Sequence, residues 1–396
     1  MTVRIGERDA VISGVGQSVV GRGLGRSGIS LTVEAALAAI ADAGLTRDDI
    51  DGVATYPGQF DASPGMSPTG VPELKEALRL KLNWFAGGSE GPGQLGALFN
   101  AIAAVCTGYA KHVLVFRTVT EATAQTAGRR ASVVGSGGGR IGGVMQWMVP
   151  FQAVSASNWV AMYAQRYMHE YGLTREQLAQ IPLNCRRHAG LNPRAIFRDP
   201  LSLEDYMNAR MISSPLCLFD CDIPCDGSTA FVVSRCDSAA DLRSVVRIQA
   251  VGSAIHGRDS WDQRSDLTEM ASHDAGPMMW SRTDLKPSDV DSVQLYDGFS
   301  YLAVAWLESL GFFPKGEAGA FLQGGEATLG LGGTLPMNTN GGQLSGGRLH
   351  GYGYLHEACL QLRHEAHGRQ VNDAEVAVVA AGGGPLGGCL LLTRDR

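Results

Sequence analysis

The sequence lacks the features of a membrane protein and of a nucleic-acid-binding protein. No segment contains about 18 uninterrupted apolar residues, the length that a membrane-spanning helix requires. The 39 Asp and Glu outnumber the 33 Lys and Arg, and the net charge of −6 argues against nucleic-acid binding as the main task. The N-terminal segment has no signal-peptide hydrophobic region. These absences predict a cytoplasmic protein that binds neither membrane nor nucleic acid.

Zinc-type cysteine spacing is also absent. Cys217, Cys221 and Cys225 form C-x3-C-x3-C, whereas zinc sites use C-x2-C pairs, and no second half of such a site follows. Cys217 lies in the apolar run SPLCLF, which is typical of a buried thiol. The eight Cys are therefore predicted to be reduced and structural, and no metal site is predicted.

An internal repeat is the main feature that the sequence does contain. Residues 10–22 (AVISGVGQSVVGR) align without gaps with residues 246–258 (VRIQAVGSAIHGR). Residues 45–56 (LTRDDIDGVATY) align in the same way with residues 285–296 (LKPSDVDSVQLY), at a nearly unchanged offset. Two separated motifs with nearly equal offsets predict that the chain consists of two homologous halves. The predicted halves are residues 1–242 and 243–396.

Strands and helices alternate in the first half. Apolar residues recur at helical spacing in residues 31–43, and Gly44 follows as a helix C-cap. Residues 94–107 form a second predicted helix, apolar nearly all round and therefore buried. A strand is predicted over residues 111–117, and the alternation predicts an α/β sheet covered by helices on both faces.

Residues 118–210 have no counterpart in the shorter second half and are predicted to be an insert. They contain a Gly-rich loop at 135–143 and two predicted helices, near 157–171 and 174–189. An insert of this kind could cap the active site.

Two glycine patterns match known motifs only formally. Gly87 to Gly91 (GGSEG) fits the G-x-S-x-G elbow of α/β-hydrolases, but those enzymes are not duplicated and need a later acid and His. Gly137 to Gly142 fits G-x-G-x-x-G, but no helix and no acidic partner follow at the required spacing. We interpret both as structural glycines.

Tyr296 and Asp297 stand where a predicted strand, QLYDGF, gives way to an apolar helix. Ligands of doubly wound sheets bind beyond the C-terminal strand ends, so both side chains are placed for chemistry. The alternative is a buried Tyr whose hydroxyl is satisfied by the protein. The final strand breaks at Gly382 to Gly384, which indicates either backbone close to a ligand or a tight hairpin.

The paired halves, together with NTNGG at 338–342, YDGF at 296–299 and AGGGP at 381–385, resemble the thiolase superfamily. They are most similar to its sterol-carrier/lipid-transfer-protein branch, and the resemblance covers essentially the whole chain. It implies a duplicated thiolase fold with five layers, α-β-α-β-α, and a homodimer.

Four positions that a thiolase uses are altered here. The nucleophilic Cys falls at Gly91, two residues after Ser89; the second Cys falls at Ala380, the catalytic His at Arg348 and an oxyanion-hole residue at Tyr296. Without a thiolate or a general base, a Claisen condensation through an acyl-cysteine is not expected.

The same loss makes the chain resemble the steroid side-chain-cleaving aldolases of actinobacteria, which carry Y-D-x-F and lack the nucleophilic Cys. The resemblance implies retro-aldol cleavage of a β-hydroxyacyl-CoA thioester, with no cofactor beyond the CoA of the substrate. It also implies a partner chain with an OB-fold and a zinc ribbon. Two departures stand out: Gly298 replaces a His, and Arg348 replaces a catalytic Tyr.

A retro-aldol reaction needs a base for the hydroxyl proton and a group that stabilises the enolate. Tyr296 is the predicted base, oriented by Asp297, with Arg348 lowering its pKa from the ordinary value of about 10. Arg348 or backbone N–H groups near the glycines of the last strand could stabilise the enolate. The secondary candidates, all in the Arg348 loop, are His350, Tyr352 and Tyr354. The predicted substrate-contacting residues are Ser89, Gly91, Gly382, Gly383 and Gly384.

Two other functions remain open from the sequence. A thiolase-like acyltransferase of the acetyl-CoA acetyltransferase type could use Ser89 or another nucleophile and would form an acyl-enzyme. A non-catalytic subunit would bind acyl-CoA or lipid without turnover. The loop at 341–354, which combines many Gly with Tyr352 and Tyr354, is predicted to be flexible and to order against a partner.

Overall fold

The computed structural model describes residues 6–56, 64–88, 93–128, 142, 145–239, 242, 244–257, 261 and 264–395. Within these ranges no helix is both long enough and apolar enough to cross a membrane. The strands are β1 Ala10–Gln17, β2 Gly52–Thr55, β3 Trp84–Gly87, β4 His112–Thr120, β5 Met211–Ser213, β6 Leu216–Cys217, β7 Asp226–Arg235, β8 Val246–Gly252, β9 Ser292–Leu295, β10 Val376–Gly383 and β11 Leu386–Arg394.

The helices alternate with these strands along most of the chain. They are α1 Gly28–Asp42, α2 Val71–Leu78, α3 Gly96–Cys106, α4 Glu121–Thr126, α5 Met145–Met148, α6 Ala156–Tyr171, α7 Arg175–Leu178, α8 Gln180–Leu191, α9 Leu203–Met207, α10 Ser272–Trp280, α11 Ser300–Ser309, α12 Ala318–Leu322, α13 Glu326–Leu329 and α14 Tyr352–Leu362.

The strand order repeats in the two parts of the sheet. Nine of the described strands form one sheet in the order β3-β2-β4-β7-β1-β8-β11-β10-β9, and β5 pairs with β6. In the first half-sheet β2 and β4 are parallel, while β7 is antiparallel to both β4 and β1. In the second, β9 and β10 are parallel, while β11 is antiparallel to both β10 and β8. This is the arrangement that the repeat predicts, although the boundary at 242/243 stays a prediction.

Helices lie outside and between the two half-sheets. Helix α1 packs on β1, β4 and β7, and α10 packs on β8 and β11. Helices α3 and α14 lie between the half-sheets: α14 contacts β9 and β10 on one side and β1 and β7 on the other. The prediction of a duplicated five-layered α-β-α-β-α fold is confirmed.

Local sequence signals explain where α1 begins and ends. The hydroxyl oxygen of Ser27 accepts a hydrogen bond from the amide of Ser30, and Gly44 takes a left-handed φ of 68° after the helix. A Cβ at Gly16 of β1 would lie 2.3 Å from the carbonyl oxygen of Ala35. The absence of a side chain there lets α1 pack directly on the sheet.

The insert folds into helices, as predicted, with one difference. The first predicted helix corresponds to α6, but the second is divided into α7 and α8 at Ala179. Pro182 has no N–H to donate to the carbonyl of Leu178, which explains the break. Helix α8 packs against the π-helical turn Gly342–Gly346, and of the predicted Gly-rich loop only Gly142 lies within the described residues.

Candidate active site

Tyr296 lies at the C-terminal ends of two parallel strands. It follows β9 directly, and its amide donates to the carbonyl oxygen of Ala380 on β10 at 3.0 Å. Helix α11 begins four residues later. The strand-end placement predicted from the sequence is therefore observed, and Ala380 is its neighbour on the adjacent strand.

The side chain of Tyr296 covers Gly298. A Cβ at position 298 would lie 2.6 Å from Cε1 of the Tyr296 ring and 2.8 Å from its hydroxyl oxygen. The ring also packs edge-on against Tyr354, with 6.2 Å between the centroids. Tyr296 is 9% exposed, so only a small part of it reaches solvent. Gly298 therefore supplies the space that this conformation of Tyr296 needs.

The carboxylate of Asp297 is buried and held by three hydrogen-bond donors. Its carboxylate accepts hydrogen bonds from the hydroxyl of Tyr354, from the amide of Gln343 at 2.7 Å and from the thiol of Cys185 at 3.1 Å. Burial raises the pKa of Asp297 above its ordinary value, against these hydrogen bonds. Tyr354 thus contacts both residues, through its hydroxyl to Asp297 and through its ring to Tyr296.

Arg348 is held between two carboxylates. Its Nε lies 2.9 Å from Oε2 of Glu121, and its Nη1 lies 3.0 Å from Oδ1 of Asp222. Its amide donates to the carbonyl oxygen of Ile223 at 2.8 Å, which holds the Arg348 loop beside the segment that carries Asp222. Because Glu121, and Asp222 when it is ionised, compensate the guanidinium, Arg348 stabilises a phenolate on Tyr296 less than a lone cation would.

The two carboxylates differ in their protonation. Burial alone would raise the pKa of Glu121, but Arg348 and His350 outweigh it and lower this pKa to about 2. Burial raises the pKa of Asp222 to about 7, although Arg348 opposes the rise. One cation thus keeps Glu121 ionised and leaves Asp222 close to half-protonated at neutral pH.

His350 and Tyr352 lie deeper in this site. His350 has a left-handed φ of 48°, and its Nε2 lies 3.5 Å from Oε2 of Glu121. Burial lowers the pKa of His350 to about 4, so the imidazole is neutral at physiological pH. Tyr352 is fully buried against Phe231, and burial raises the pKa of its hydroxyl. Arg348 and His350 therefore meet around Glu121, whereas Tyr352 belongs to the core.

The glycines of the last strand make room for protein side chains. The carbonyl oxygen of Gly382 accepts from the indole N–H of Trp306 at 2.8 Å, and a Cβ at Gly383 would lie 2.8 Å from Leu302. Gly384 has a φ of 68° and lies against the ring of Trp261. These contacts fit the tight-hairpin alternative. Ser89 and Gly91, the other predicted substrate contacts, lie outside the described residues.

The loop at 341–354 is packed within the chain, so the prediction of a flexible segment is wrong. Gly341, Gly347 and Gly351 take positive φ values that form its tight turns. Tyr352 and Tyr354 are 0% and 1% exposed. The glycines serve backbone geometry, and the aromatic side chains fill the core.

No cysteine is poised as a nucleophile. Burial raises the pKa of every one of the eight thiols, and the pKa of Cys106 and that of Cys217 rise to about 11. All are free thiols. Among the described residues no group of His, Cys, Asp and Glu could hold a metal ion. At neutral pH the thiols are therefore protonated and weakly nucleophilic.

A half-open cavity of about 600 Å³ lies on the far side of the turn Gly342–Gly346. It is lined in part by Asn192, Arg194 and His356, and it contains neither Tyr296 nor Arg348. Of the predicted catalytic candidates, Tyr354 lines this cavity, whereas Tyr296, Arg348 and His350 do not.

Sequence reasoning missed Glu121 and Asp222. Both have a weak signal in the sequence: Glu121 follows a predicted strand, and Asp222 lies inside the C-x3-C-x3-C segment. Their partner, Arg348, is 227 and 126 residues away along the chain. Only the folded chain brings the three residues together.

Known proteins are similar to this chain over most of its length. Residues 253–389 match the family described as thiolase C-terminal domain-like. The chain is 35% identical over 395 residues to the steroid side-chain-cleaving aldolase of Thermomonospora curvata, covering 98% of each chain. It is 32% identical over 392 residues to the 17-hydroxy-3-oxo-4-pregnene-20-carboxyl-CoA lyase of Mycobacterium tuberculosis, covering 96% of this chain and 98% of the other.

A solved structure is similar over the same length. The chain superposes on the Ltp2-ChsH2(DUF35) aldolase with a TM-score of 0.85 and 34% identity, covering 98% of each chain. The similarity therefore extends over nearly the whole chain.

Proposed function

Because the chain belongs to the thiolase superfamily, and within it to the family of aldolases that act on CoA thioesters, we propose that it cleaves a β-hydroxyacyl-CoA by a retro-aldol reaction in which no covalent acyl-enzyme forms. The observation that carries the proposal is the state of the thiols. All eight are protonated at neutral pH, and Ala380 stands beside Tyr296 where a thiolase has its second Cys.

The reaction begins with loss of the substrate's hydroxyl proton. Tyr296 is the base, since its hydroxyl end occupies the strand-end position beside Gly298 and near Arg348. As the hydroxyl-bearing carbon becomes a ketone, the carbon–carbon bond breaks and its electron pair forms the enolate of the released thioester. Arg348, whose side chain is 21% exposed, supplies the positive charge that stabilises the enolate oxygen.

The substrate in this proposal is a CoA thioester with a bulky, steroid-like acyl group. Support comes from the relatives, one named for the cleavage of steroid side chains and one for a pregnene carboxyl-CoA. No cofactor is proposed beyond the CoA of the substrate, because a retro-aldol reaction needs only a base and an enolate-stabilising group.

We also propose a partner chain with an OB-fold and a zinc ribbon, and a homodimer of this chain. The similar solved aldolase carries a double name, Ltp2-ChsH2, whose second part is marked DUF35, and this supports a two-chain enzyme. The partner would complete the tunnel that receives the acyl-CoA.

The test is turnover of a steroid β-hydroxyacyl-CoA by the purified chain, alone and co-purified with the products of the neighbouring genes. Mass spectrometry should detect the ketone and the shortened acyl-CoA in equal amounts, while the intact mass of the chain stays unchanged. An acyl adduct on Ser89 or on any Cys would instead establish an acyltransferase. Binding of acyl-CoA without turnover, by the chain alone and by the complex, would establish a non-catalytic subunit.

A further inference from the structure

One cation serves two carboxylates beside the proposed base. Glu121 and Asp222 both contact Arg348, yet only Glu121 is nearly sealed from solvent, with 3% of its side chain exposed against 9% for Asp222. We propose that Asp222 is the second proton-transferring residue of the reaction and gives the enolate carbon the proton that completes the released thioester. This inference rests on the proposed retro-aldol function.

The backbone of Asp222 and the ring of Tyr296 both lie against Gly298. The amide of Asp222 donates to the carbonyl oxygen of Gly298 at 3.0 Å. The Tyr296 hydroxyl lies 2.8 Å from the place that a Cβ on Gly298 would occupy. Both side chains also lie close to Arg348, with Oδ1 of Asp222 3.0 Å from its Nη1, so a substrate held beside the guanidinium would meet both.

Burial, assisted by two neighbouring carboxylates, favours a proton on Asp222. Arg348 favours its ionised form, whereas burial and the negative charges of Glu121 and Asp297 favour the protonated form. His350 is neutral above a pH of about 4. The thiols of Cys221 and Cys225, which lie near Asp222, are protonated because burial raises their pKa values. Asp222 can therefore both release and accept a proton near neutral pH.

No other described group of the cluster meets this requirement as well. Glu121, with a pKa of about 2, stays ionised throughout the physiological range. His350, with a pKa of about 4, carries no proton to give as an imidazolium. Burial raises the pKa of Tyr352, so its hydroxyl is a poor acid. Asp222 has a pKa of about 7 and a partly accessible side chain.

The protons balance over one cycle. Tyr296, as the phenolate, takes the hydroxyl proton of the substrate while the carbon–carbon bond breaks and the enolate forms. Asp222, as the carboxylic acid, then gives its proton to the enolate carbon, forming the new carbon–hydrogen bond and leaving a carboxylate. The proton on Tyr296 finally returns to Asp222, so the pair ends with the one proton with which it began.

A partial reaction separates the two roles. The complex of this chain with its partner should exchange the α-hydrogens of propionyl-CoA with deuterium in heavy water, because the Asp222 carboxylate can remove the proton that it otherwise delivers. Asp222→Asn should lose this exchange by about 100-fold or more, together with cleavage. Tyr296→Phe should lose cleavage but keep exchange within about tenfold. Asp237→Asn is the matched control, since Asp237 pairs with Arg235 at the surface and should alter neither reaction.

If Asp222→Asn exchanged deuterium at a rate within threefold of wild type, the inference about Asp222 would be overturned. The proposed cleavage reaction itself would still stand. Equal loss of exchange in Tyr296→Phe would also overturn the inference, because one residue would then handle both protons. A wild-type complex that exchanges but cleaves no β-hydroxyacyl-CoA would instead overturn the proposed function.

The pH dependence gives a test that keeps Asp222 in place, in case the Asn variant does not fold. Exchange requires the carboxylate form, so the rate should rise with pH through about 7. Glu121→Gln removes a negative charge that raises the pKa of Asp222, so this rise should move to lower pH. An unchanged pH profile in Glu121→Gln would assign the exchange to another group.

Discussion

The ring of Tyr296 occupies the space in which a side chain at Gly298 would begin, with its Cε1 only 2.6 Å from the position of a Cβ there. The two residues therefore form one structural unit. The conformation of the proposed base depends on the absence of a side chain two residues later.

Gly298→Ala should displace Tyr296 and reduce activity. The added methyl group cannot fit beside the ring, and such overpacking typically costs about 1–3 kcal/mol. We expect kcat/KM for cleavage to fall by about tenfold or more, since small misplacements of a base have large effects. Gly368→Ala is the control, because a Cβ there meets no atom within 4 Å. Unchanged kinetics in Gly298→Ala would show that Tyr296 need not lie where it does.

Tyr296→Phe should lose cleavage without losing the fold. The substitution removes only the hydroxyl, and loss of a general base reduces the rate by about 10²–10⁴. Steady-state kinetics and thermal unfolding measure the two properties separately. A Phe variant within threefold of the wild-type rate would exclude Tyr296 as the base and direct attention to Tyr354.

Arg348→Met should destabilise the protein. It leaves the carboxylates of Glu121 and Asp222 without their shared cation, and removal of one partner of a buried ion pair costs up to about 3–5 kcal/mol. The partial exposure of Arg348 should keep the loss toward the lower end of that range. Urea denaturation at pH 7 gives the value. Surface Arg235→Met, which breaks an exposed pair, should cost less than about 1 kcal/mol.

Asp222→Asn should change the dependence of stability on pH. The folded pKa of Asp222 is raised to about 7, above the value of about 3.9 expected for an unfolded chain. The folded wild type therefore binds more protons than the unfolded chain between these values, and Asp222 contributes stability that is lost as pH rises from about 4 to 7. Asp222→Asn cannot titrate at this position, so its stability should not show this decrease between about pH 4 and 7.

The free energy of unfolding of Asp222→Asn, relative to wild type, should therefore increase from pH 5 to pH 7 and level off above pH 8. Chemical denaturation of both proteins at each pH gives the difference directly. A difference that stays constant with pH would mean that the pKa of Asp222 is not raised in the folded protein.

The sequence predicted the fold well because the fold is repetitive. One offset between two motif pairs and the alternation of strands and helices indicated the duplicated layers, and the same strand order is found in both halves. The strand-end position of Tyr296 followed from the same pattern. These features depend on local periodicity, which a single sequence carries.

The electrostatics of the site could not be predicted in the same way. Arg348 was expected to act on Tyr296, but Glu121 and Asp222 compensate its charge, and nothing in the sequence near Arg348 indicates them. The loop at 341–354 was misjudged because Gly suits tight, buried turns as well as flexible segments. The ion-pair partners of Arg348 and the burial of this loop are set by the folded chain and cannot be read from the local sequence.

The strand order also has a consequence for biosynthesis. In each half-sheet the strand made last enters between two strands made earlier: β7 lies between β4 and β1, and β11 lies between β10 and β8. Neither half-sheet can therefore close on the ribosome until its final strand has emerged. Until β11 emerges, β8 has only its two residue pairs with β1. The second half-sheet is therefore completed only by β11. A nascent chain that lacks β11 exposes the edges of β8 and β10 to chaperones and to other chains.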